Sequence, residues 1–284
     1  MTEDIFLAEQ TIAIVGLGLM GGSLAMALRP HVATLLAVDS DPETRRYALE
    51  HGLVDRVSPN GIDLLPEADL IILAAPVRAN LKWLSQLPEL CPAPCTILDL
   101  SSTKAEIVAA MNRLPERFSA LGGHPMCGKE TSGLGHAEAE LFHKAIFALT
   151  LTERTPPELR QLGEQLAALL GSRPLWLDAQ THDRWVAATS HLPYLISAAL
   201  AGSTPAEAAP LASSGFRSTT RLAASDMNMM LDILLTNRTP ILTALRKMRL
   251  TLNDLETALT ATDERALREQ LTRARDARNS LVSE

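Results

Sequence analysis

The chain has 284 residues, of which 46% are hydrophobic and only 4% aromatic, and a net charge of −7. That length suits two domains with aliphatic cores, and the acidic balance excludes the basic surface with which nucleic-acid-binding proteins hold phosphate. No apolar run approaches the ~20 residues that cross a bilayer. The opening MTEDIFLAEQ lacks the pattern of a signal peptide, and three cysteines cannot build a disulfide framework, so a reducing, cytoplasmic setting is expected.

In chain order, TIAIV (Thr11 to Val15) reads as a first strand, rich in β-branched residues. A helix is expected from near Gly21 to just before Pro30. LLAVD (Leu35 to Asp39) is a second strand. Asp41 then caps a helix through His51, with Pro42 at its first position. LIILAAP (Leu70 to Pro76) and TILDL (Thr96 to Leu100) are further strands, apolar on both faces as strands covered on both sides must be. A helix from about Thr103 to Asn112 follows, with Ser102 or Thr103 as its cap. CPAPC (Cys91 to Cys95) reads as a loop, since its prolines and lack of partner ligands do not suit a metal. IFALTL (Ile146 to Leu151), a helix from Pro157 to Leu170 and RPLWL (Arg173 to Leu177) close the alternating pattern. Strand alternating with helix predicts an α/β doubly wound parallel sheet.

From Thr181 onward the spacing is helical throughout, so the boundary is placed at Asp178: a dinucleotide-binding domain over 1–178 and an all-helical domain over 179–284. Ile241, Leu245, Met248, Leu252, Leu255 and Leu259 recur at alternating steps of four and three, an a/d seam. Such a seam packs inside its own domain or against a second copy. The small core available to an all-helical domain of this size favours a homodimer.

VGLGLMGGSLA holds Gly16, Gly18 and Gly21 in G-x-G-x-x-G spacing after a strand, at the start of a helix, with an acid about twenty residues on. Free backbone amides at such a helix start bind a pyrophosphate, so a Rossmann domain is expected. Asp39, at the end of the second strand, suits the ribose hydroxyls and repels a 2′-phosphate, which favours NAD over NADP. Arg45 and Arg46 lie near enough to soften that discrimination. Leu19 and Met20 in the same loop, with Ala75 and Pro76 at the end of LIILAAP, complete the candidate cofactor-binding set.

Further on, LGGHPMCG sets His124 just past an expected sixth strand, at the carboxyl edge of the sheet where ligands of such folds bind. A base that removes a hydroxyl proton eases departure of a hydride from the same carbon, and histidine suits that task near neutral pH. Gly122 and Gly123 are expected to let the chain bend there.

GGHPMCG, together with the glycine loop, HD…SHLP and SSGFRSTTR, resembles the prephenate/arogenate dehydrogenase family over about Ile12 to Arg238. The resemblance implies a Rossmann domain followed by a helical dimerisation domain. It also implies NAD(P)-dependent oxidation of a cyclohexadienol with loss of CO2, in tyrosine biosynthesis. By the same resemblance, His124 is the catalytic histidine, Ser102 orients it and the substrate hydroxyl, and Lys104 lies beside them. His191 sits at the domain junction and Arg221 binds the substrate carboxylate. Arg217 is a peripheral basic position, and Ser214 joins the candidate substrate-binding set. The residues alone allow plainer roles: Lys104 as a solvated helix residue, His191 as a core histidine, Arg217 as a surface charge. Pro193 is expected to kink its helix. Cys127, Tyr194 and Ser218 depart from the family pattern, and the last two bear on prephenate against arogenate. No metal is expected. β-Hydroxyacid dehydrogenases share the first glycine pattern but need a different substrate loop. A non-catalytic NAD-binding sensor should have lost His124 or Arg221.

Overall fold

The computed structural model describes residues 5–129 and 131–282; the acidic opening residues Met1 to Asp4 lie outside them. One eight-stranded sheet has the order β3-β2-β1-β4-β5-β6-β7-β8. Its strands are β1 (Thr11–Val15), β2 (Thr34–Val38), β3 (Arg56–Ser58), β4 (Leu70–Leu73), β5 (Cys95–Asp99), β6 (Phe118–Pro125), β7 (Ile146–Leu151) and β8 (Arg173–Trp176). The first six are mutually parallel, which reproduces the doubly wound expectation. β7 runs antiparallel to β6, and β8 parallel to β7. The cause is the connection: the described residues of 126–145 hold only the short turns Leu134–His136 and Ala139–Phe142, with no crossover helix among them to carry the chain back. β3 is three residues long, too short to announce itself in sequence.

The helices are α1 (Ile5–Ala8), α2 (Leu19–Leu28), α3 (Pro42–Glu50), α4 (Val77–Leu90), α5 (Ala105–Met111) and α6 (Pro157–Leu169). After the last strand come α7 (Ala179–Val186), α8 (Leu192–Ser203), α9 (Ser214–Thr220), α10 (Met227–Thr236), α11 (Arg238–Thr260) and α12 (Glu264–Val282). Every described element after Trp176 is helical. No described helix is long and apolar enough to cross a membrane.

Two apolar layers, one on each face of the sheet, make the core. Ile12, Ile14, Leu35 and Leu98 point to one, and Ala13, Val15, Leu36 and Ile97 to the other. Alternate residues of one strand thus enter opposite layers, which is why these strands read as unbroken apolar runs. Local capping is as expected at α3, where Asp41 accepts the Thr44 amide at 2.8 Å. It differs at α5, where neither Ser102 nor Thr103 caps the helix. The Thr103 hydroxyl lies 2.9 Å from that of Thr236, and the first-turn amides are taken by a residue far away in sequence, described below.

The chain separates into two compact units, residues 1–237 and 238–284. Helices α7 to α10 belong to the first, with the sheet. In the second, α11 and α12 are joined by a turn in which Thr262 adopts a positive φ of 52° and Asp263 accepts the Ala266 amide at 2.9 Å. Along α11, Leu245, Leu252 and Leu259 remain 37%, 50% and 65% exposed, so half of the six a/d seam positions are uncovered in a single chain.

Candidate active site

The carboxyl ends of β1, β2, β4, β5 and β6 share one edge of the sheet, because these strands are parallel. Strand order reverses between β1 and β4, the switch point where such sheets leave a crevice. Gly16 makes the turn there with φ of +92°, and a Cβ on it would lie 2.9 Å from the Ala75 nitrogen. A Cβ on Gly21 would sit 1.9 Å from the Gly16 carbonyl oxygen, so only glycine lets α2 pack so close to the loop.

Gly18 is different: nothing lies within 4 Å of where its Cβ would be. That open space is what a bound pyrophosphate needs. α2 begins at Leu19, two residues before the expected start, and its ladder opens with Gly22 donating to the Gly18 carbonyl at 2.9 Å. The amides of Leu19, Met20 and Gly21 precede that ladder and face outward with the positive end of the helix. Asp39 accepts from the Leu17 amide at 2.7 Å and from the Asp41 amide at 2.9 Å, so its half-buried carboxylate braces the loop from the end of β2. Arg45 folds back to donate to the Asp39 and Ser40 carbonyls. Ala75 and Pro76 border the same crevice at the end of β4, Pro76 as the residue before α4. These residues fit a dinucleotide.

His124 stands inside β6, its penultimate residue, rather than beyond the strand. Gly122 and Gly123 therefore do not bend the chain. They are small because β7 side chains press on them: a Cβ at Gly122 would meet the Thr150 hydroxyl oxygen at 2.2 Å, and one at Gly123 the Phe147 ring at 2.7 Å.

Nδ1 of His124 lies 2.9 Å from Nε2 of His182, whose Nδ1 lies 2.8 Å from Oδ1 of Asp183. Asp183 also accepts the Lys104 and Ala105 amides, each at 2.8 Å, and so caps α5 from α7. His182 and Asp183 are 1% and 2% exposed. Lys104 is fully buried and ion-paired with Asp99, contrary to a solvated helix lysine. Asp99 is held in turn by Ser101, whose hydroxyl donates at 2.6 Å, and by Asn80 at 3.2 Å. Asn237 donates to the Asp183 carbonyl at 2.8 Å and to Nδ1 of His191 at 3.1 Å.

Burial holds His124 well below the ordinary imidazole range, and the neighbouring His182, Lys104 and His191 push the same way. His191 is pushed down to about 4, mainly by burial, against the pull of Asp183. Burial also lowers Lys104, while Asp99 opposes the shift. A neutral imidazole at the sheet edge can accept a proton at neutral pH.

The structure thus brings His124, Lys104 and His191 into one buried network and leaves Ser102 half-buried between β5 and α5, with His182 rather than Ser102 on the His124 ring. Ser214 and Arg217 on α9, and Arg221 in the turn Arg221–Ala224 that follows it, are exposed. Sequence reasoning missed Asp99, His182, Asp183 and Asn237. The HD pair stood in plain view, but nothing local showed which strand it would face. A π turn, Ala187–His191, directly precedes Pro193, which sits in the first turn of α8, so the helical ladder is locally widened just before the proline.

Comparison with known proteins gives the same architecture. A family model described as "Prephenate dehydrogenase, nucleotide-binding domain" matches residues 24–173, and a second, "Prephenate dehydrogenase, dimerization domain", matches 178–273. A prephenate dehydrogenase of Bacillus subtilis is 32% identical over 96% of this chain and 76% of its own length. A structure of prephenate dehydrogenase from A. aeolicus in complex with hydroxyphenyl propionate and NAD+ superposes with a TM-score of 0.89 at 27% identity, covering 97% of this chain and 99% of that one. Synechocystis arogenate dehydrogenase superposes with a TM-score of 0.80 at 32% identity, covering 96% of this chain and all of that one. With both domains matched in order, and with the glycine loop and His124 on one sheet edge, this chain belongs to the prephenate dehydrogenase family.

Proposed function

We propose that this chain oxidises prephenate with NAD and releases CO2, giving 4-hydroxyphenylpyruvate for tyrosine biosynthesis. The observation that carries the reading is His124: an imidazole kept neutral by burial, on the same sheet edge as an open pyrophosphate cradle at Gly18. Leu19, Met20 and Gly21 would hold the dinucleotide's phosphates and Asp39 its ribose, with Ala75 and Pro76 on the opposite wall. Bound NAD would supply the hydride acceptor.

The chain's own residues do the rest. His124 takes the proton of the ring 4-hydroxyl, so that a C4 carbonyl forms as the hydride leaves C4. The C1 carboxylate then departs as CO2, and its electron pair completes the aromatic ring. Aromatisation supplies the driving force, so the protein's task is alignment and proton removal. In this reading Ser102 and Lys104 flank the hydroxyl, Arg221 pairs with a substrate carboxylate, and His191, Ser214 and Arg217 border the substrate. A planar guanidinium is the natural bidentate partner for a carboxylate. Arg221→Ala should therefore raise KM for prephenate and leave NAD affinity unchanged, and Arg217→Ala should do less. The reverse ranking would make Arg217 the carboxylate partner.

Arogenate is the second reading. The Synechocystis relative favours it, and Tyr194 and Ser218, two departures from the family pattern, leave the preference between the two substrates open. Steady-state assays with prephenate and arogenate, each with NAD and NADP, decide between them. Turnover of neither would overturn both.

The working unit in this proposal is a homodimer, supported by the exposed Leu245, Leu252 and Leu259 on α11 and by the dimerization-domain match. The change from sheet to helices at Asp178 divides cofactor domain from substrate domain. The setting is the cytoplasm, which suits the free thiols of Cys91, Cys95 and Cys127.

A further inference from the structure

We infer that His182 and Asp183 are positioning residues that fix the tautomer of His124, leaving its Nε2 bare as the proton acceptor. The inference rests on the dehydrogenase reading for its purpose, and on hydrogen-bond polarity for its content.

Asp183 ends the chain of hydrogen bonds. A carboxylate has lone pairs and no proton to give. Its Oδ1 accepts from the Lys104 amide and faces Nδ1 of His182 at 2.8 Å, and its Oδ2 accepts from the Ala105 amide. The proton in the His182–Asp183 contact therefore sits on Nδ1 of His182. A neutral His182 then has a bare Nε2. That atom faces Nδ1 of His124 at 2.9 Å, and a bond at this distance needs one proton between the two nitrogens. It must come from His124, so His124 carries its hydrogen on Nδ1 and presents a lone pair at Nε2. The polarity runs one way, from His124 through His182 to Asp183.

Rigidity comes from the other elements. Asp183 is pinned to the start of α5, and Asn237 pins its backbone carbonyl. His182 and Asp183 are adjacent on α7, so anchoring one fixes the other. The charged or titratable groups around the chain are Lys104 with Asp99, and His191. When the substrate O–H bond breaks and Nε2–H forms, the new positive charge on His124 is one hydrogen bond from His182 and two from Asp183. A cationic His182 would reverse the order: it would donate to His124 and leave Nε2 of His124 already protonated.

Imidazole 15N spectra of the full-length protein, labelled at histidine and assigned with His124→Asn, separate these cases at neutral pH without substrate. His124 protonated at Nδ1 and bare at Nε2 is the expected result, and the opposite tautomer overturns the inference. Two variants add the kinetic arm. His182→Leu removes the acceptor and should lower kcat by ~10²-fold, the scale of a lost proton transfer, with KM for NAD unchanged. His182→Gln offers a carbonyl to His124 and an amide to Asp183, the same polarity as the imidazole, and should recover much of that loss. Gln no better than Leu, or Leu with wild-type kcat, overturns it. Because the spectrum needs no turnover, failure of the proposed activity and failure of the tautomer lock are separate results.

Discussion

The glycine loop and the histidine network lie on the same sheet edge and are built on opposite plans. The loop is backbone. Its working atoms are amides of Leu19, Met20 and Gly21, and its side chains matter chiefly by being small or missing. The network is side chains: Asp99, Lys104, His124, His182, Asp183, His191 and Asn237, drawn from five segments that span almost half the chain. Where the loop leaves open space, as at Gly18, a single change costs little stability, whereas a buried network of charges depends on every partner. The contrast therefore predicts different kinds of damage in the two regions.

The largest effect should follow from splitting the Lys104–Asp99 pair. Both groups are fully buried. Replacing Lys104 by Met leaves an unpaired buried carboxylate, a loss of about 3–5 kcal/mol in unfolding free energy. The double variant Lys104→Met, Asp99→Leu should recover most of it, since two apolar groups need no partner. Gly18→Ala is the matching change in the loop. Nothing lies within 4 Å of the added methyl, so stability should move by less than about 0.5 kcal/mol while NAD affinity falls. Urea denaturation and NAD titration of the three variants measure this directly. Equal destabilisation in both regions would break the comparison.

Next comes the reacting group. His124→Asn should cut turnover by ~10²-fold or more with NAD affinity unchanged. Near-normal turnover would remove His124 from the chemistry.

The network should also make stability depend on pH. His191 titrates at about 4 in the folded chain, against an ordinary value of 6.5. Between those values the unfolded chain binds the proton and the folded chain does not, so stability falls as pH drops from 6.5 to 4. His191 alone contributes ~3 kcal/mol over that window, and His124 shifts in the same direction. Below pH 4 the His191 contribution is exhausted. Urea midpoints measured from pH 7 to 4 should decline, and His191→Leu should flatten the slope. A wild-type midpoint that stays level would mean that His191 is not buried as a neutral ring.

The same contrast explains what could be read in sequence. The loop lies within about 30 residues, and each of its signals is local: a β-branched run, glycines at fixed spacing, an acid at the next strand's end. Asp41 with Thr44, three residues apart, was equally legible. The network pairs Lys104 with residue 183 and His124 with residue 182, and no periodicity connects such positions. His124 stood out because a histidine between glycine and proline is unusual. Lys104 did not show its burial, because a lysine reads as solvated until its partner, Asp99, is seen to share its interior. The reversed direction of β7 was hidden for a related reason: it depends on the missing crossover helix, not on the residues of the strand. The cap of α5 reads as Ser102 or Thr103 because helix caps are usually local, and Asp183 breaks that habit.

The smallest expected effect tests the point where the loop stops being pure backbone. Among the described residues, Asp39 is the one charged side chain bracing it, through the Leu17 and Asp41 amides. Its carboxylate should select NAD, because a 2′-phosphate would bring like charge beside it. Two unit charges 4 Å apart repel by about 1 kcal/mol in water and about 4 kcal/mol near a protein surface. Asp39 is half-buried, so the selectivity should lie between those limits. Asp39→Ser keeps one acceptor for the loop amides and removes the charge. The ratio of kcat/KM for NAD to that for NADP should then fall about tenfold or more, since each 1.4 kcal/mol is a factor of ten. Most of the change should appear as improved use of NADP, with a smaller loss for NAD from the relaxed loop. A fall confined to NAD, with NADP unimproved, would show that Asp39 acts only as a brace, and that selectivity against the 2′-phosphate comes from elsewhere in the crevice.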